Sequence, residues 1–362
     1  MIENKDKLDK IQVSLAAINP YIEVNIQKPI QELVKGKDFV KFGETNTYPN
    51  YIEDIIDNCS TLTSIIYGSA DFVIGDDIIT NKEIINKKGE TLRDIIYKCA
   101  VDYFAFGGYY LQVIRDTFGN PVEIYWLDYK HVRTNAKNDI FFYSEDWNKS
   151  FGRVQYLVYP KYIKDGNATT SIIYVKNQKC RGIYATPLWQ SAIKSALIEN
   201  KINDYHLNGI SNGFAGSYIV NFNNGIPNDE VKDEIEESIN EKFSGSENAG
   251  RILISFNDSK ERAVDVQKLE VDDFGEKYNT LAKRSREQLY GVFGATPALF
   301  GVMTETTGFN TQEFAESFKL YNRTRIQPVQ QTIVDSLNKI WGDLQVEIKP
   351  FNLNNNTEEN VD

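Results

Sequence analysis

Two histidines, three cysteines and two methionines in 362 residues leave this chain short of the usual catalytic and redox side chains. A Ser-His or Cys-His nucleophilic device would have to use His131 or His206. His206 falls within a helical pattern and His131 follows a strand, so both read as surface or packing residues. Cys59, Cys99 and Cys180 are odd in number, far apart and free of any CxxC spacing, which excludes a disulfide framework and leaves reduced thiols. No apolar run approaches the ~20 residues needed to cross a bilayer. The opening MIENKDKLDK has no apolar signal core, so the reading is a cytoplasmic protein. HExxH, GxxxxGK[ST] and GxGxxG are all missing. Gly213 and Gly216 are too sparse to cradle a phosphate and read as a flexible join. Basic residues are also in deficit, 40 against 51 acids, for a net charge of -11. A protein that grips a duplex by its phosphates is basic on the gripping face, so tight nucleic-acid binding is disfavoured. Asp76-Asp77 and Asp272-Asp273 are paired acids that suit either a divalent cation or, more commonly, a cap. No cofactor is implied.

What the chain has is apolar periodicity, with 41% hydrophobic and 12% aromatic residues, enough for a real core. Residues 1–45 are polar and broken by Pro20 and Pro29, which suits an extended arm. Within 41–75, Tyr51, Ile55, Ile56, Leu62, Ile65, Ile66 and Phe72 predict two helices, split near Asn58 to Ser60 and ending at Gly75. Residues 91–106 predict another, stopped by Gly107 and Gly108. YYLQVIRD, GNPVEIYWLD, IFFYSED and VQYLVYP alternate and carry β-branched and aromatic residues, predicting a small antiparallel sheet. A long helix follows at 186–211, with Thr186 as cap and Pro187 in the first position. Strands at 217–222, 251–256 and 263–271 flank an acidic helix at 228–243, whose Val231, Ile235, Ile239 and Phe243 form one stripe.

The most informative stretch is 272–341. Phe274, Tyr278, Leu281, Ser285, Leu289 and Val292 line one face of a helix over 272–295, with Asp273 as cap, Glu276 in the first turn and Gly294 as stop. After the loop 296–310 comes a second long helix, with Asn310 and Glu313 in capping positions and Phe314, Phe318, Tyr321, Ile326, Val329, Ile333, Leu337 and Ile340 on its apolar face. Pro328 lies in its interior and predicts a kink there. Gly342 is placed to end it. The fold class is α+β.

The ordered set of these features resembles the portal proteins of tailed bacteriophages. The resemblance is carried by FGETNTYPNYI and YGSADFVIGD, by Phe106-Gly107-Gly108, Gly119 and Leu127-Asp128, by Gly182, Pro187, Tyr205 and Asn208-Gly209, and by the helix–loop–kinked helix of 272–341. It covers roughly residues 41–345. It implies an N-terminal arm (1–45), an α/β wing (46–185), a first stem helix (186–211), a small α/β clip (212–271), a second stem helix (272–295), a tunnel loop (296–310), a wing helix with a return strand (311–350) and a polar tail (351–362). Almost nothing follows residue 350, so the expected crown is reduced or absent.

By that resemblance the chain is no enzyme. It is a structural subunit of the viral portal ring at the unique capsid vertex, a homo-oligomer expected to be a dodecamer. Double-stranded DNA passes through it without sequence-specific contact during packaging and ejection. The implied partners are the large terminase subunit, the major capsid or scaffold protein and a head–tail connector. The location is the virion, with host cytoplasm during assembly. The tunnel loop would touch DNA through Thr304, Thr306, Thr307 and Phe309, and an acidic lining suits a polyanion that must slide. Lys277, Lys283, Arg284 and Arg286 on the second stem helix face either the channel or a neighbour's acids. Glu230, Asp233, Glu234, Glu237 and Glu241 of the clip would dock terminase or connector. The competing reading from the residues alone is a metal-dependent hydrolase or nuclease built on converging carboxylates.

Overall fold

The helix pair expected within 41–75 is present as α1 (Tyr48–Asn58) and α2 (Ser60–Ile74) in the computed structural model. The structure describes residues 26–33, 36, 38–148, 154–211, 218–222, 227–228, 230–235, 252–256, 274–302 and 311–351. The chain divides into two units: residues 25–199 with 283–362, and residues 1–24 with 200–282.

In the first unit, Cys59 has extended backbone and serves at once as the end of α1 and the start of α2. That break lets both helices bury their apolar faces. Ile52, Ile55 and Ile56 of α1 are enclosed, as are Leu62, Ile65, Ile66, Ala70 and Val73 of α2. Each buried Ile, Leu and Val side chain contributes roughly 1.5–3 kcal/mol relative to exposure. Helix α3 (Leu92–Phe106) starts on a capping box, Thr91 with Asp94, and ends at Gly107 in the left-handed region, φ +82°. A Cβ at Gly107 would sit 2.5 Å from the Thr186 carbonyl oxygen, so the position admits glycine alone.

The strand segments form two sheets where one was expected. The N-terminal hairpin of β1 (Gln31–Leu33) and β2 (Val40–Phe42) precedes the helices, and β3 (Asp77–Thr80) follows α2. β4 (Gly108–Arg115) is the middle strand of an antiparallel sheet, flanked by β5 (Pro121–Leu127) and β9 (Thr170–Lys176). A second antiparallel sheet runs β6 (Val132–Thr134), β7 (Ile140–Tyr143), β8 (Leu157–Pro160). Four aromatic rings of β4, β7, β9 and the turn after β5 meet between them: Tyr110 stacks on Tyr174 at 4.3 Å and packs against Tyr129 and Phe141.

The expected helix start at residue 186 is displaced. Trp189 is fully enclosed and donates its indole N–H to the Phe104 carbonyl at 3.1 Å. That anchor holds 187–192 in tight turns, and α4 begins only at Ile193, running to Ser211. Helix α5 (Phe274–Phe293) ends at Gly294, φ +64°, as expected.

The long helix after it is present, with its irregularity just upstream of the proline. It runs without a break through α6 (Thr311–Tyr321), a π-helical turn at Asn322–Ile326, and α7 (Gln327–Ile340). Pro328 sits in the first turn of α7, where its missing N–H is harmless. Its ring crowds the carbonyl four residues back, Thr324, and the irregularity therefore falls upstream of the proline, inside the π turn. The helix ends at Ile340 with Trp341 as cap, ahead of Gly342. Two buried hydroxyl pairs, Tyr109 with Ser336 and Tyr321 with Ser69, each 2.7 Å, tie this helical run to the sheet and to α2. β12 (Val346–Lys349) then returns to pair antiparallel with β3.

In the second unit, β10 (Tyr218–Phe222) and β11 (Ile252–Phe256) pair in parallel. Parallel partners need a crossover, and a helical stretch at 230–235 lies within it. The 263–271 strand expected from the sequence lies outside the described residues.

Candidate functional site

Helices α4 and α5 are the long paired elements on which a functional surface would be built, and each has a part in both units. Within the first unit, Ser195 of α4 is enclosed and donates its hydroxyl to Gln288 Oε1 of α5 at 2.6 Å. Ala196 on one side and Leu289 and Tyr290 on the other join the core. Within the second unit, Tyr205 of α4 stacks on Tyr278 of α5, ring centroids 4.6 Å apart, with His206 edge-on to both. His206 is thus a packing residue, and His131 packs edge-on to Tyr143.

Glu199 was not singled out by the sequence. It is 97% enclosed on the core face of α4, and its Oε1 accepts from Ser60 Oγ at 3.1 Å and Thr61 Oγ1 at 2.9 Å, at the start of α2. A carboxylate there meets the partial positive charge of the helix N-terminus. Burial and the Glu199 charge push the Cys59 thiol up to about 12. The only signal available in sequence was position: Glu199 follows Ala192, Ser195 and Ala196 at helical spacing on the buried stripe.

The basic residues Lys283, Arg284 and Arg286 are exposed on α5. Large apolar side chains are exposed on the same helix pair: Ile198 and Leu207 of α4 and Leu281 of α5 are 40%, 64% and 45% accessible. Beyond α5, Thr296–Val302 is held in a tight turn by Phe300, which packs against Phe72 and edge-on to Tyr321. In the stretch at 230–235, Glu230, Asp233 and Glu234 are exposed, Val231 is exposed and Ile235 is half-buried, and Ile239 and Phe243 of the expected stripe lie outside the described residues. Thr304, Thr306, Thr307, Phe309, Glu237 and Glu241 lie outside the described residues, as do Asp272-Asp273 and the Lys277 side chain. Asp77 accepts from the Ile78 N–H and pairs with Lys349 at 3.8 Å, which accounts for that acid at the first position of β3. Among the described residues no group of three or more His, Cys, Asp or Glu is arranged to hold a metal ion.

A family model for phage portal proteins matches residues 86–358. The chain belongs to the phage portal protein family. An uncharacterized protein of Rickettsia felis is 31% identical over 127 residues, which are 34% of this chain and 30% of that relative, so the match spans under a third of the relative's length. Among solved structures, a chain of the virion of a native gene transfer agent particle superposes with a TM-score of 0.53 at 15% identity over 83% of each chain. A chain from the neck of the native particle, computed with C12 symmetry, gives 0.51 at 16% identity over 85% of each. An HK97-family phage portal protein from Corynebacterium diphtheriae gives 0.50 at 11% identity over 82% of this chain and 94% of the other. At these identities the likeness is one of fold. This portal family member therefore has the mixed helix-and-sheet portal fold.

Proposed function

We propose that this portal family member is one subunit of a closed homo-oligomeric ring at a capsid vertex, through which double-stranded DNA is packaged and ejected. The observation that supports the ring is the match of residues 86–358 to the phage portal protein family. The C12 symmetry of the gene transfer agent neck, whose chain shares this fold, favours a twelve-fold ring.

In this reading residues 46–185 and 311–350 form the wing, α4 and α5 the stem, 212–271 the clip and 296–310 the tunnel loop. Lys283, Arg284 and Arg286 serve the channel wall or the neighbouring stem. Thr304, Thr306, Thr307 and Phe309 touch DNA weakly, through hydroxyls, backbone and one ring, because the loop 302–310 has no Lys or Arg. The acidic residues Glu230, Asp233, Glu234, Glu237 and Glu241 dock the terminase large subunit during packaging and a connector afterwards. A capsid or scaffold protein holds the wing. The role is structural, in the virion, with assembly in the host cytoplasm.

Two variants separate assembly from use. Glu234→Lys with Glu237→Lys leaves ring size unchanged and weakens packaging, and deletion of residues 304–307 does the same without touching the clip. Normal packaging by both variants contradicts these assignments.

A further inference from the structure

Polar groups seat the first turns of α4 on the start of α2. Residues 193–199 of α4 belong to the first unit, and the helix continues into the second from Asn200. Of these residues Ile193, Ser195, Ala196 and Glu199 are enclosed, so two of the buried side chains are polar and one is a lone methyl. Ser195 reaches Gln288 of α5, and Glu199 carries the link to α2.

Glu199 is satisfied on one side only. Its Oε1 accepts from the Ser60 and Thr61 hydroxyls, while its buried Oε2 has no partner among the described residues. A buried carboxylate oxygen with nothing donating to it carries an uncompensated desolvation cost. Lifting Glu199 off α2 gives that oxygen water and exchanges the two hydroxyl bonds for bonds to water. The apolar burial lost from α4 is that of Ile193, Ala196 and the half-buried Leu197. It is small beside the packing of α2 and α3, where Leu62, Ile65, Ile66, Ile95, Ile96 and Ala100 are all enclosed. A segment with few buried apolar contacts opens before the core does.

Cys59 reports on the seat. It is fully enclosed where α1 meets α2, with the Glu199 carboxylate beside its thiol and the Leu62 and Thr61 N–H groups directed at its sulfur. Burial and the Glu199 charge outweigh those N–H groups, which favour a thiolate as at other helix N-termini. Departure of Glu199 removes the charge and admits water. We propose that Glu199 is a releasable latch, and that α4 lifts off the start of α2 as a local event that uncovers Cys59 while α2 and α3 stay packed. The latch lies within one unit of one chain, so it stands whether or not a ring forms.

Iodoacetamide labelling of the folded full chain at pH 8, read at each cysteine by peptide mass spectrometry, tests the latch. Cys99, enclosed in α3, reports global unfolding. In wild type Cys59 should label slowly, yet at least about tenfold faster than Cys99, and with a shallower urea dependence because less surface opens. Ser60→Ala with Thr61→Val removes both hydroxyls and leaves the Glu199 charge in place. This variant should raise Cys59 labelling at least about tenfold, because the opening itself breaks those hydrogen bonds. Val113→Ala, in the middle strand β4, weakens packing that the opening leaves intact. It should speed Cys99 labelling and leave Cys59 labelling unchanged. Equal rates and urea slopes for Cys59 and Cys99 in wild type overturn the latch without recourse to any variant. So does unchanged Cys59 labelling in the Ser60→Ala, Thr61→Val chain, or a Val113→Ala chain in which Cys59 speeds up as much as Cys99.

Discussion

Ser195 donates its hydroxyl to Gln288 Oε1 at 2.6 Å, joining α4 to α5 within the first unit. Ser195 is enclosed and Gln288 is exposed, so water can satisfy the Gln288 oxygen when the serine hydroxyl is removed. Ser195→Ala is expected to cost about 0.5–1.5 kcal/mol of stability in urea unfolding. A double-mutant cycle with Gln288→Ala should show a coupling of about 1 kcal/mol. Additive single effects would remove this pair as a link between the helices.

Gly107 makes the turn from α3 into β4 with φ +82° and the Thr186 carbonyl 2.5 Å from where a Cβ would be. Gly107→Ala combines a left-handed backbone penalty with a backbone clash, and should cost more than about 2 kcal/mol. Thermal melting reads this directly. A melting temperature unchanged from wild type would show that Thr186 can retreat freely.

The thiols provide a third check. Burial holds the Cys99 thiol well above its ordinary value and, with Glu199, raises Cys59 to about 12. Only the thiolate is a nucleophile, and both side chains are enclosed. At pH 8 the native chain should show at most one thiol reactive to a disulfide reagent, Cys180, and three after unfolding in urea. Rapid labelling of Cys59 or Cys99 in the native chain would contradict the packing around α2 and α3.

Asp102 gives a pH dependence whose sign follows from its raised folded value. The folded state holds this proton more tightly than the unfolded state, so its contribution is complete below the ordinary aspartate value of ~3.9. The contribution is lost as pH rises from there through the raised folded value. The stability of wild type relative to Asp102→Asn should therefore fall as pH increases above about 4. Urea unfolding of both proteins over a pH series measures this difference. A difference that stays flat would mean that Asp102 ionises in the native chain as freely as in the unfolded one.

Local signals carried much of the fold. The α1–α2 split at Cys59, the stop of α3 at Gly107 and the alternation of β4 and β5 all follow from spacing and turn residues near in sequence. β9 was passed over although TSIIYVK is rich in β-branched residues, because its partner β4 lies far away and the register is set by that pairing. β1, β2 and β6 have only three residues each, too few to show a period. The start of α4 was misplaced because Pro187 satisfies a local rule that the buried Trp189 overrides through its bond to Phe104. Pro328 was read as a kink at its own position, but the disturbance acts four residues back. Glu199 could be placed on the buried stripe of α4 from spacing, but its meeting with Ser60 and Thr61 depends on how α4 packs on α2, which no local pattern encodes.

Ring formation is the central claim, and the most direct measurement is a negative-stain image of the purified full-length chain with its mass in solution. The account predicts closed rings with a central hole and a mass near twelve subunits of 41.4 kDa each. A population made only of monomers or dimers, at concentrations and salt that keep the chain folded, would contradict it.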